Sequence, residues 1–185
     1  MQPEPQAGEA ACFHSANCDT PLVARDLREI EQVEFGAGDL TQVVAFMTQL
    51  TAAGDGWINL IPRITDEDER PTSLRFYTLF SGGSPGVTMG TWIPESRNRR
   101  GLVPASLGIT HVTGRRAAAQ LQSLGVPIPQ NWFVEQDHPR RGLVLRIPPD
   151  ETHDKVLEWA LRAAGALQPG PIKKWRGHVY LPAAS

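Results

Sequence analysis

Turn chemistry set between short runs of β-branched and aromatic residues is what most narrows the folds open to this chain. Leu74 to Phe80 and Val87 to Ile93 flank Ser81-Gly82-Gly83-Ser84-Pro85-Gly86, where glycine and proline reverse a chain that its neighbours keep extended. Trp132 to Gln136 and Leu143 to Ile147 flank Asp137-His138-Pro139-Arg140-Arg141-Gly142 in the same way. Both pairs read as antiparallel hairpins. Trp57 to Ile64 reads as a buried strand, Leu107 to Val112 as a further strand and Ile172 to Leu181 as the last. In that last strand the two-residue side-chain period puts Trp175, Val179 and Leu181 on one side and Lys174, Arg176 and His178 on the other.

Three helices interrupt these strands. Asp39 is a capping residue ahead of the apolar face Leu40, Val43, Val44, Phe46, Met47 and Leu50, and Gly54 ends that helix. A second helix is expected from Gly114 to Leu124, where Gly125 and Pro127 stop it. Pro149, Asp150 and Glu151 open the third, whose apolar face is Val156, Trp159, Ala160, Ala163 and Leu167. Leu22 to Phe35 fits two readings: its apolar residues fall loosely at helical intervals, and Val33 to Phe35 also suits a short strand. Hairpins broken by helices favour an α+β fold over a doubly wound parallel sheet. The expected architecture is a mixed or mainly antiparallel sheet built from hairpins and covered by about three helices.

A chain of 185 residues suits one domain. The expectation is a flexible N-terminal tail over 1–21 and a single α+β domain over 22–185. The tail is Pro, Glu, Gln, Ala, Ser and Asn with one aromatic, Phe13, too little apolar surface to offset the entropy lost on ordering. The first 24 residues hold no Lys or Arg and no signal-peptide core, and no stretch is apolar enough to span a bilayer. With Cys12 and Cys18 as the only cysteines, a cytoplasmic protein without membrane association is expected.

Most motif readings fail on chemistry. Gly36-Ala37-Gly38 begins like a dinucleotide fingerprint, but Thr41 stands where the third glycine belongs and Asp39 would repel a phosphate. Ser106 lies in Pro104-Ala105-Ser106-Leu107-Gly108, an elbow lacking its first glycine and followed by a strand instead of a helix. Cys12, His14 and Cys18 are metal-binding types without a fourth ligand nearby, so no metal and no cofactor are expected. Asp66 to Glu69 reads as a solvated acidic loop, and Trp57, Trp92, Trp132 and Trp159 as core residues.

Charge distribution carries the functional expectation. Residues 1–72 hold 13 acidic and 4 basic residues, whereas 73–185 hold 7 acidic and 14 basic. The second helix breaks a local rule, because Thr113-Gly114-Arg115-Arg116 sets two cations at its positive end while the other helices open on Asp39 and on Asp150-Glu151. An anion bound there would reconcile the charges: Thr113 caps or donates, Gly114 admits a close backbone approach, and Arg115 and Arg116 clamp it. Arg140, Arg141, Lys174 and Arg176 extend this candidate site if the fold gathers them. The leading reading is therefore a small binding domain whose basic C-terminal part holds a phosphate-bearing ligand or nucleic acid. One rival is a protein–protein interaction or accessory protein without catalytic activity; the other is a small enzyme using His111, Asp137 and His138.

Overall fold

The computed structural model describes residues 27–64, 87–99 and 101–182. The chain runs β1 (Leu27–Phe35), α1 (Thr41–Ala53), β2 (Trp57–Arg63), β3 (Met89–Ile93), β4 (Ser96–Asn98), β5 (Gly101–Val103) and β6 (Ser106–Thr110). It continues through α2 (Ala117–Ser123), β7 (Phe133–His138), β8 (Gly142–Arg146), α3 (His153–Leu167) and β9 (Lys174–Pro182). Seven strands form one sheet in the order β1-β9-β2-β3-β6-β8-β7, and β4 with β5 forms a separate ribbon. Every described pairing is antiparallel, so the fold is α+β with a mainly antiparallel sheet and three helices. Among the described residues no helix is long and apolar enough to cross a membrane.

Alternation along the strands sends one apolar row to the helices. Val33 and Phe35, Ile58 and Leu60, Trp92, Leu107 and Ile109, Leu143 and Leu145, and Trp175 and Val179 join residues of all three helices in a single core. Helix α3 lies between α1 and α2 over β3 and β6, burying Val156, Leu157, Trp159, Ala160, Ala163 and Leu167. Its first residue, His153, ties it to α1: Nδ1 lies 3.2 Å from Thr48 Oγ1 and Nε2 3.1 Å from Thr51 Oγ1, while the ring meets Trp92 edge-on at 5.5 Å. The indole of Trp159 donates to Pro127 O at 2.9 Å and packs edge-on against Trp132, fastening the α2–β7 connection.

Several sequence expectations change in detail. The described part of the ambiguous segment, Leu27–Phe35, is a strand that pairs along β9. Leu40, not Asp39, stands at the cap of α1, and Asp39 Oδ1 instead accepts from Thr41 N at 3.4 Å. Gly54 does close α1, with φ 65° and its N–H on Leu50 O. The third helix begins at His153, after the Pro149-Asp150-Glu151 opening. The hairpin at β7–β8 forms with a shorter turn than read, since Asp137, His138 and Gly142 belong to its strands, whereas Leu74–Phe80 lies outside the described residues and both sides of β3 are taken by β2 and β6. The tail over 1–21, with Cys12, His14 and Cys18, and the acidic Asp66 to Glu69 run also lie outside them.

On the side of the sheet away from the core, alternation gives the side but not the exposure. His178 is buried, not solvent-facing, because β9 is an interior strand and Asn59 of β2 and Gln32 of β1 flank His178 directly. Trp57 shares that side instead of the core and stacks on Tyr180, with ring centroids 4.8 Å apart and planes 13° from parallel. The β4–β5 ribbon was not anticipated: Ser96-Arg97-Asn98 and Gly101-Leu102-Val103 lack the apolar alternation of a packed strand.

Candidate functional site

The candidate site lies at the sheet end where β6 stops, β7 turns and β8 starts. Its framework depends on Gly142, whose φ is 85° and which passes so close to β6 that a Cβ would fall on the carbonyl oxygen of Ile109. That approach holds the Pro139-Arg140-Arg141 turn against the sheet. His138 closes the turn from inside, its Nδ1 accepting from Arg140 N at 3.1 Å and Arg141 N at 3.2 Å.

Asp137, one residue earlier, reaches sideways. Its Oδ1 accepts from Ala117 N at 2.8 Å, satisfying an amide that the first turn of α2 leaves without an intrahelical partner. The helix therefore starts later than its sequence suggests: Gly114 takes φ 67° and Arg116 is extended at the cap, so Thr113 to Arg116 form a loop. The carboxylate at the start of α2 is the chain's own, supplied from β7, and it faces the helix end ahead of which the two arginines sit.

His111 completes the framework beneath this loop. Its Nδ1 lies 2.9 Å from Thr113 Oγ1, which also accepts a long bond from Arg115 N at 3.5 Å. The imidazole is only 4% exposed, and among the described residues its Nε2 has no hydrogen-bond partner. Burial pushes its pKa below the usual imidazole value, and the nearby Asp137 carboxylate offsets part of that fall.

These contacts sort the expected residues. Arg115 and Arg116 precede Ala117, and Arg140 and Arg141 follow Asp137 by three and four residues, so the Ala117–Asp137 bond brings both arginine pairs to one sheet end. All four are exposed. Lys174 and Arg176 belong to β9, with β2, β3 and β6 between it and β8. Arg176 instead meets Glu34 of β1, Nη2 to Oε1 at 3.0 Å, and Arg63 of β2 meets the same carboxylate. These two arginines hold the Glu34 carboxyl below its usual pKa, Arg176 contributing most. His111, Asp137 and His138 share the site, yet no hydrogen bond joins any two of them. Among the described residues no three His, Cys, Asp or Glu side chains gather as a metal cluster.

Two features escaped the sequence reading. Thr91 Oγ1 donates to Asn59 Oδ1 at 2.9 Å, and with His178 opposite Asn59 they form a buried polar row across β3, β2 and β9. The one hint was a lone asparagine within the apolar Trp57 to Ile64 run. The other is an open cleft of about 470 Å³ beside α3 and the start of β9, with Leu161, Ile172 and Trp175 within it and Glu158, Arg162 and Lys173 around it. It contains none of the expected site residues. No protein-family model, curated protein or solved structure matches this chain.

Proposed function

We propose that this protein is a binding domain that holds a phosphate-bearing partner, a nucleotide or nucleic acid, at the arginine-bearing end of its sheet. The observation that carries this reading is the Ala117–Asp137 hydrogen bond, which ties the start of α2, just after Arg115 and Arg116, to the strand that leads into the Arg140-Arg141 turn. No carboxylate pairs with any of these four guanidinium groups among the described residues, whereas Arg63, Arg146 and Arg176 are each paired. Clustered cations without internal partners attract a polyanion and offer planar donors to phosphate oxygens.

Binding accounts for this end better than catalysis does. Asp137 Oδ1 and His138 Nδ1 are taken by backbone amides, His111 is buried, and no hydrogen bond joins any two of the three, so they form no acid–base pair. The test is fluorescence anisotropy with labelled single-stranded DNA and a labelled mononucleotide over a salt series. Affinity that falls steeply with salt and is lost in Arg115→Ala/Arg116→Ala supports the reading. Affinity unchanged by that pair and by Arg140→Ala/Arg141→Ala overturns it.

A further inference from the structure

The opposite end of the sheet exposes apolar side chains instead of arginines. β3 ends at Ile93, which pairs with Ser106 of β6; Ser106 pairs with Arg146 of β8, and Arg146 with Phe133 of β7. This row runs to the sheet's edge, since β7 is the terminal strand. Ile93 is 37% and Phe133 59% exposed, and the Arg146 guanidinium lies 5.1 Å over the Phe133 ring. The β4–β5 ribbon leaves the sheet between Ile93 and Ser106, carrying Leu102 and Val103, 55% and 40% exposed. Four of the six exposed large apolar side chains among the described residues, Ile93, Leu102, Val103 and Phe133, thus belong to this corner, while Val134 alternates to the other face of β7. A free two-stranded ribbon is marginal in water, and this one buries none of its residues.

We infer that this corner docks an apolar, acidic segment of a different protein. Clustered exposed apolar residues mark protein contacts, and the surrounding charge selects the partner. Arg97 and Arg99 stand exposed on the ribbon, while Arg146 is balanced by Glu135, Nη2 to Oε1 at 2.6 Å. Glu95 lies at the ribbon's base, so the outer part is the basic part. A second copy of the chain would bring two such basic tips into one isologous interface, a like-charge arrangement that opposes association. Nucleic acid would satisfy the arginines but leave the exposed Ile93, Leu102, Val103 and Phe133 uncovered. Backbone pairing along the β7 edge is discouraged by its bulge between Val134 and Gln136, so side chains make the contact.

The experiment measures anisotropy of two labelled synthetic peptides, one alternating Leu with Glu and one alternating Leu with Lys. The Leu/Glu peptide is expected to bind saturably, and Leu102→Ser/Val103→Ser or Phe133→Ser to raise its Kd by about tenfold with an unchanged Tm. Arg97→Ala/Arg99→Ala weakens it mainly at low salt, and Arg115→Ala/Arg116→Ala leaves it unchanged. No saturable binding, equal binding of the Leu/Lys peptide, or indifference to all the corner variants overturns the proposal. A concentration-dependent dimer dissolved by Leu102→Ser would assign the corner to self-association instead. Duplex DNA binding lost in Arg97→Ala/Arg99→Ala would assign the ribbon to nucleic acid.

Discussion

The two ends of the seven-stranded sheet are finished in opposite ways. At the arginine end, identified side-chain bonds hold the backbone: His138 closes the β7–β8 turn, Asp137 caps α2, and Thr113 meets His111. What faces solvent there is charge, which water accommodates at little cost. At the ribbon end the strands leave the sheet, and what faces solvent is apolar, each exposed Å² forgoing roughly 25 cal/mol of burial. A charged end and an apolar end suit different ligands. Variants at the first should cost stability through the backbone and its hydrogen bonds, whereas variants at the second should cost almost none.

Gly142→Ala tests that contrast most severely. Its φ of 85° and its contact with the Ile109 carbonyl leave no room for a methyl group, and the expected loss is roughly 3 kcal/mol by chemical denaturation. A loss within experimental error would mean that the β7–β8 turn is not held against β6. Asp137→Ala should cost about 1 kcal/mol, the usual value of a helix cap, and should also weaken anion binding by releasing one arginine pair from the other. Unchanged stability together with unchanged binding would break the link drawn between the cap and the arginine cluster.

The next effect is read by pH. His111 and His153 are both held below the usual imidazole pKa of 6.5, burial being the main cause in each. The unfolded chain then takes up protons that the folded chain refuses. Stability is fully present above about pH 6.5 and declines as pH falls below it toward the folded pKa values. His111→Gln should flatten part of this decline in urea titrations across that window and leave the His153 part. An identical slope in His111→Gln and the parent protein would show that His111 titrates alike in both states. The smallest effect is at the ribbon: Leu102→Ser should move stability by less than about 0.5 kcal/mol. A larger loss would show that the ribbon is packed, not free.

The comparison also explains what could be read from the chain. Helix α3 and the β7–β8 hairpin were legible because Val156, Trp159, Ala160 and Ala163 repeat at helical spacing and Pro139 to Gly142 carry turn chemistry. The start of α2 was not, since Gly114 and Arg116 leave helical geometry and Ala117 N donates to an acceptor 20 residues away. Period-2 alternation in β9 placed Trp175 in the core, but it could not tell that His178 lies in an interior strand. The arginines themselves were visible. That two arginine pairs fall at one end of the sheet was not, because β6 and β7 are joined only through β8, while the same sheet order sets Arg176 beside Glu34. The apolar corner was hidden for a similar reason: Ile93 and Phe133 share a row only after three pairings are made.

The central claim is that the two ends bind separately and by different chemistry, so the most direct measurement crosses two variants with two probes. Labelled single-stranded DNA and the labelled Leu/Glu peptide are titrated into the parent protein, Arg115→Ala/Arg116→Ala and Leu102→Ser/Val103→Ser, each at low and high salt. The account predicts that the arginine pair affects only the DNA, whose affinity falls steeply with salt, and that the ribbon pair affects only the peptide, whose affinity falls with salt less steeply than that of the DNA. Either probe responding to both variants, or to neither, would contradict it.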